Sequence, residues 1–351
     1  MMSTAQGWRP DFVPGELLSS FLVRLAARLG VTPHRLQCQF GKRFEIWTRD
    51  VDRSASDALV AAIAKRCDVS DKVVEAMTLR HYEHLLCRTN RASRQAGVAT
   101  WINALGIFHR QRTLHGLQYC PACLQETPAF KQIWRLAFVT VCDKHVAMLC
   151  DSCRHCGTAI MPHRSRQAGL RCHNCNRLLG LEAPVDGTAD QECVTIQDLF
   201  LDAARVGSTS FGTVNVGASD FFLGTSQLLQ ICKDKFVRRQ DLRGILGQRF
   251  ELSRTVERAR YLSFLSQLLV DWPNRFTQFS ATYNVSQNCF AHYKEIPAWV
   301  REVVLDLPKR IRSYRSRPLR LQCEGSNPRA TSGNWRTIRA RELLRAAGVK
   351  K

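Results

Sequence analysis

The chain is short of acids and of long apolar runs. Its 351 residues carry 30 Asp and Glu against 51 Lys and Arg. No run of about 18 apolar residues occurs, which excludes a membrane-spanning helix. The amino-terminal segment (MMSTAQGWRPDF) lacks the charged-then-apolar order of an export signal. There is no Walker A string, no His-Glu-x-x-His and no nucleophile elbow. The acids are dispersed, and none fall into a triad spaced like a nuclease or integrase core. Nothing in the composition points to wholesale disorder: 45% of the residues are apolar, enough to build real cores, and the length suits about two to three domains.

Cysteine is what the chain has in quantity, and it is ordered. Cys120-Pro-Ala-Cys123 is followed after 18 residues by Cys142-Asp-Lys-His145, and Cys153-Arg-His-Cys156 after 15 residues by Cys172-His-Asn-Cys175. A Cys-x-x-Cys turn offers two thiolates to one ion, and a second such turn completes a tetrahedron. The spacing of the second set falls in the zinc range for paired knuckles. Two Zn2+ ions are therefore expected, both structural, because neither ligand set leaves a position for water. Cys150 offers a competing register, Cys150-Asp-Ser-Cys153. Gly157 directly after Cys156 favours the pairing of Cys153 with Cys156, since such a turn often needs a positive φ. Met148, Leu149 and Cys150 would then pack between the sites. His155, His163 and His173 read as bystanders, and Cys38, Cys67, Cys87, Cys193, Cys232, Cys289 and Cys323 as ordinary buried thiols. Reduced knuckles without an export signal suggest the cytoplasm.

Around this module the pattern is helical. In residues 16–40, Leu17, Leu18, Phe21, Leu22, Leu25 and Leu29 recur at helical spacing. Gly30 ends that helix, and Thr32-Pro33 caps the next. LAARLGVTPHRL has the form of a helix-turn-helix. IAKRCDVSDKVV (63–74) echoes it, and its second helix is expected to run on to Cys87. RTNRASRQAG (88–97) reads as a linker, Trp134 to Val141 as a strand or extended core segment, and 182–217 as a domain junction. Helices return from Asp220, with Trp272-Pro273 stopping one of them. SATYNVSQNCFAHY (280–293) is a weaker helix-turn-helix candidate. The expected fold is mainly α with a small zinc-ribbon-like α+β module. Helix-turn-helix-type domains would flank two zinc fingers: 1–98 helical, 99–180 double finger, 181–307 helical and 308–351 a basic tail.

The tail carries thirteen Lys or Arg against Glu324 and Glu342, about half of the chain's net +21. Arg310, Arg312, Arg315, Arg317 and Arg320 crowd Tyr314 and Pro318. Guanidinium groups match phosphate geometry, so DNA contacts are expected there, salt-dependent and indifferent to sequence. His81-Tyr-Glu83 upstream of Cys120-Pro-Ala-Cys123 has the ligand types of a zinc deaminase. The proline falls after the first cysteine, however, and that reading would strand Cys142, His145 and the whole second set.

Tyr119-Cys-Pro-x-Cys-Leu-x-Glu126, then Trp134-Arg-Leu, Cys142-x-x-His145, Leu149 and Cys153-x-x-Cys156-Gly157 resemble the TniQ/TnsD family of transposon target selectors. PGELLSSFLVRLAARLG (14–30) is similar to the family's opening, and Val74-Glu-Ala-Met-Thr-Leu-x-x-Tyr82-Glu83 to its next helix. The likeness covers about residues 11–180. Asp143 and Arg154 stand where the family usually has proline, and Cys150 is extra. The resemblance implies zinc ligands at Cys120, Cys123, Cys142, His145, Cys153, Cys156, Cys172 and Cys175. It also implies a non-catalytic adaptor that marks an insertion site on DNA and recruits an AAA+ ATPase, engaging the transposase indirectly. Such a protein would be nucleoid-associated and need no membrane; whether it forms a homodimer stays open. A zinc-containing transcription regulator is the alternative.

Overall fold

A computed structural model describes residues 9–41, 44, 46–86, 100–105, 114–165, 170–181, 191–239 and 249–309. Helix α1 (Leu18–Arg28) buries Leu18, Phe21, Leu22 and Leu25, the apolar face its spacing predicts. None of its own side chains caps its first turn. Asp52 supplies the cap from 33 residues away: Oδ1 accepts the Ser19 backbone N–H at 2.7 Å and Oδ2 the Ser19 hydroxyl at 2.9 Å. A carboxylate there satisfies a free N–H and meets the positive end of the helix dipole. Gly30, at φ 66°, then turns the chain. Thr32 accepts from the Arg35 N–H, and Pro33 opens α2 (Pro33–Gln37). The expected pair forms, but its second helix has only five residues.

The echo also forms. After α3 (Val51–Ser54), helix α4 (Asp57–Cys67) ends at Asp68 in the left-handed region, and Ser70 precedes α5 (Asp71–Glu75). The single helix expected through to Cys87 is broken instead. Thr78 donates its hydroxyl to the Glu75 carbonyl and accepts from the Arg80 N–H, starting a separate α6 (Arg80–Leu86). The break frees the Leu79 N–H to reach the Asp52 carbonyl at 2.7 Å. Tertiary hydrogen bonding has overridden a helical run of good propensity.

The cysteine module begins with α7 (Pro121–Glu126) and a 3₁₀ turn at Gln132–Arg135. The segment expected as a strand from Trp134 starts in that turn and continues extended, paired only at isolated bridges such as Ile102 with Leu136 and Val141 with Met148. Residues 134–142 are all buried. Arg135, with no exposed surface, binds Asp50 through both terminal guanidinium nitrogens (2.6 and 3.2 Å) and Asp52 at 3.0 Å, and donates to the Asn103 carbonyl. Burial is the largest influence on Asp52 and raises its carboxyl, with Arg135 pulling it back.

Part of the stretch expected as a junction is a 16-residue helix, α8 (Gln191–Val206), followed by the hairpin β1 (Ser208–Phe211) and β2 (Val214–Gly217), paired Phe211 to Val214. Buried Cys193 and Gln197 interrupt the apolar face of α8 and hide its period. Helices α9 (Ala218–Arg239), α10 (Thr255–Val270), α11 (Asn274–Tyr283) and α12 (Ala298–Leu305) complete the described chain. Helix α10 ends before Trp272-Pro273 as expected. After α11 the third helix-turn-helix candidate yields only a 3₁₀ turn, Gln287–Cys289.

These helices lock onto the module through side chains that replace missing strand partners. Gln197 accepts the Thr140 and Val141 N–H groups and donates to the Val141 carbonyl. Arg258, fully buried, donates to the Ala137 carbonyl at 2.6 Å and to Gln118 Oε1 at 2.8 Å. Burial drives its guanidinium down to about 10, with Asp151 the main opposing charge. One large apolar cluster joins described residues from Leu17 to Leu307, and a small second one joins Val141, Cys193 and Ala259. The expected junctions near 98 and after 181 coincide with segments outside the described residues, as does the tail from 310 onward. No described helix is long and apolar enough to cross a membrane.

Removing the cation from the Asp50–Asp52–Arg135 cluster leaves two carboxylates facing each other in the core. Arg135→Met is expected to cost about 3–5 kcal/mol, the usual penalty for breaking a buried pair. Urea unfolding measures it, and a loss below about 1 kcal/mol would show the pair to be dispensable.

Candidate metal centres

The structure brings all eight expected ligands into two clusters, Cys120, Cys123, Cys142 and His145 in one and Cys153, Cys156, Cys172 and Cys175 in the other. Within each, the donor atoms lie within 4.8 Å of one another. Cys120 is the residue before α7, and Pro121 takes the first helical position, where a missing N–H costs nothing. Cys123 follows one turn later. The other pairs sit on three turns of one design. In each, the first cysteine's carbonyl accepts the N–H of the residue four on: Val146 to Cys142, Gly157 to Cys153 and Asn176 to Cys172. Each first cysteine in turn donates its N–H five residues on, to Ala147, Thr158 and Arg177. All three closing residues have positive φ: Val146 at 49°, Gly157 at 70° and Asn176 at 60°. The positive φ expected at Gly157 is present, and the same geometry is imposed on a β-branched valine.

The donor spacing tests which ion these clusters suit. Tetrahedral Zn–S bonds of about 2.3 Å place sulfurs roughly 3.7 Å apart, and sulfur and nitrogen slightly closer. The sulfur pairs agree: Cys123–Cys142 at 3.5 Å, Cys156–Cys172 at 3.5 Å and Cys153–Cys175 at 3.6 Å. His145 presents Nδ1 to Cys120, Cys123 and Cys142 at 3.5, 3.3 and 3.6 Å. Its Nε2 lies 3.2 Å from Glu126 Oε1. That contact fixes the ring and leaves Nδ1 free to ligate, as carboxylates behind metal-bound histidines do. Glu126 has no role in a ligand-spacing argument, because it meets His145 only after the turn at residues 142–145 folds back on α7.

Electrostatics favour a cation. The hydrogen bond between Cys120 and Cys142 pulls the Cys142 thiol down to about 5 and pushes Cys120 up, while burial raises Cys123 to about 11. Thiols this close resist ionising together, and a bound dication reverses that balance. The first cluster is closed, with Cys120, Cys123 and Cys142 buried, whereas Cys156 and Cys175 are partly exposed. Gly180 abuts the Gln125 backbone, where an added Cβ would come to 2.9 Å, so the chain leaving the second cluster lies tightly on α7.

Cys150 belongs to neither cluster. Its N–H and carbonyl pair with Tyr119, and the residue is buried. Among the described residues, no other place gathers three or more metal-type side chains. The histidine and glutamate of the deaminase comparison do not approach the clusters' ligand sets; Glu83 pairs with Arg53 Nε at 2.6 Å. The tail arginines Arg310, Arg312, Arg315, Arg317 and Arg320 lie outside the described residues.

Val146 is 56% exposed, so its side chain gains little from packing while its backbone is strained. Val146→Asn, which copies the residue closing the Cys172 turn, is expected to raise stability by about 1 kcal/mol. A loss of that size on thermal unfolding would show that the valine side chain matters after all.

Residues 8–149 match the TniQ family model. The match takes in the helix-turn pair, its echo and the whole first cluster, and stops before Cys153. No curated protein matches the chain.

Proposed function

We propose that this chain, a member of the TniQ family through residues 8–149, is a non-catalytic adaptor that selects the insertion site in DNA transposition. It binds DNA and recruits an AAA+ regulator, through which the transposase is engaged. The family match over the region that welds the helices to the first cluster is the observation that carries this reading.

In this reading both clusters hold Zn2+. The ion neutralises the thiolates and ties together turns that few strand contacts would otherwise hold. Eight ligands then serve folding rather than chemistry, because four protein donors leave no coordination position for a substrate. The binding surface for DNA includes the basic tail and the second finger. Residues 152–181 contain no acid at all, and Arg154, Arg164 and Arg177 are exposed there. Such arginines suit phosphate contacts that position a protein without reading sequence.

Elemental analysis of purified protein is expected to return two zinc ions per chain, one in Cys156→Ser and two in Cys150→Ser. One ion or fewer in the wild type would sink the two-site assignment. Neutralising the five tail arginines is expected to flatten the dependence of log K on log salt by about four to five units, at roughly 0.9 per phosphate contact. Site preference should survive that change. The role itself is checked by co-purification with a cognate AAA+ ATPase on DNA. Metal-dependent strand cleavage by the isolated chain, abolished by one carboxylate substitution, would overturn the adaptor reading.

A further inference from the structure

Away from both clusters, a cavity of about 180 Å³ lies between α9, the 3₁₀ turn at Phe250–Leu252 and Tyr293. Its walls include Trp101, Leu229 and Phe250, and its polar lining includes Lys233, Arg249, Glu251 and Tyr293. That volume exceeds many times the ~10–15 Å³ one water needs.

The polar groups are out of balance. Lys233 is 6% exposed, and among the described residues its side chain makes no hydrogen bond or ion pair. A buried lysine ordinarily has a partner. Burial pushes its ammonium below the ordinary lysine range, with Glu251 the first of the charges opposing this. The Tyr293 hydroxyl is buried and has no hydrogen-bond partner. Arg249 is largely exposed, its Nε 3.9 Å from Glu251 Oε2. Glu251, the one anion of the lining, already accepts the Trp101 N–H at 3.3 Å. Asp234 and Glu257 also act on Lys233, more weakly than Glu251 and from outside the lining. Within the lining, an ammonium, a guanidinium and a phenol therefore face one carboxylate that is already engaged, leaving donors without acceptors.

We propose that this cavity binds a phosphate-type oxyanion, held by Lys233, Arg249 and Tyr293. A tetrahedral anion accepts from several directions at once, which suits an ammonium, a guanidinium fork and a phenol arranged around one space. The anion arrives either as free phosphate or as a phosphate carried on a polynucleotide end. The site is separate from the metal clusters and does not depend on the transposition role.

Thermal unfolding and calorimetric titration of the full chain with inorganic phosphate, in enough NaCl to suppress tail contacts, test it. Phosphate is expected to bind saturably and raise the wild-type Tm. Lys233→Met is expected to have a higher Tm than wild type without phosphate, having lost a buried charge, and to show no phosphate-dependent shift. Tyr293→Phe should fold normally and bind phosphate about tenfold more weakly, one lost charge-assisted hydrogen bond. If Lys233→Met does not fold, Tyr293→Phe decides alone. A 5′-phosphorylated oligonucleotide that competes with phosphate, when its 5′-hydroxyl counterpart does not, identifies a polynucleotide end as the source. Competition by neither identifies free phosphate. No saturable binding by the wild type, or equal Tm shifts in wild type and both variants, overturns the proposal.

Discussion

The Asp52 carboxylate is the constraint on which the rest of the described chain depends. It caps α1 through Ser19 and pairs with Arg135, while the carbonyl of the same residue holds Leu79. Three stretches distant in sequence thus end on one buried residue. Burying a carboxylate is costly unless its oxygens are filled, and here they are filled from the two elements that must meet. A local helix cap and a tertiary weld have become the same interaction. Neighbouring contacts repeat the device: buried Glu16 accepts from Ser20 and Arg24, while the Gly15 carbonyl receives the Gln132 N–H.

The cysteine module is held from outside as well as from within. With only isolated bridges between its extended segments, its backbone donors and acceptors need other partners. Gln197 and Arg258 provide them from helices that enter much later in the chain. This explains why a fully buried arginine with no directly bonded acid is tolerated: its donors go to the Ala137 and Ser253 carbonyls and the Gln118 and Thr255 side chains. The helices of residues 191–309 are therefore not a separate appendage, since they complete the hydrogen bonding of residues 118–141.

The three positive-φ turns show how far ligand geometry governs local structure. Gly157 and Asn176 are residues that enter the left-handed region readily, while Val146 is not. The same bonds, five residues out and four back, form in all three, so the turn is set by the need to aim two donors at one point. The second cluster reaches this geometry with residues suited to it, the first with some strain.

The grouping of eight Cys and His side chains into two clusters was legible in the sequence because two-residue spacers fix side chains by local turn geometry alone. The leucine face of α1, the Gly30 turn with its Thr32 cap and the stop before Pro273 were legible for the same reason, as each rests on neighbours within one or two turns. The strings that resembled the TniQ family, around Gly15–Ser20 and Trp134–Leu136, were visible too, but their purpose was not. Only the folded chain shows that they meet, Glu16 and Ser20 on one side and Phe130 to Arg135 on the other. Tertiary structure also decided the break at Thr78, the helix α8 behind its buried Gln197, the carboxylate of Glu126 behind His145 and the cavity around Lys233. Each depends on a hydrogen bond or charge supplied from elsewhere in the chain. Periodicity and spacing record only what a residue's near neighbours require of it, so a partner brought in by folding leaves no local mark.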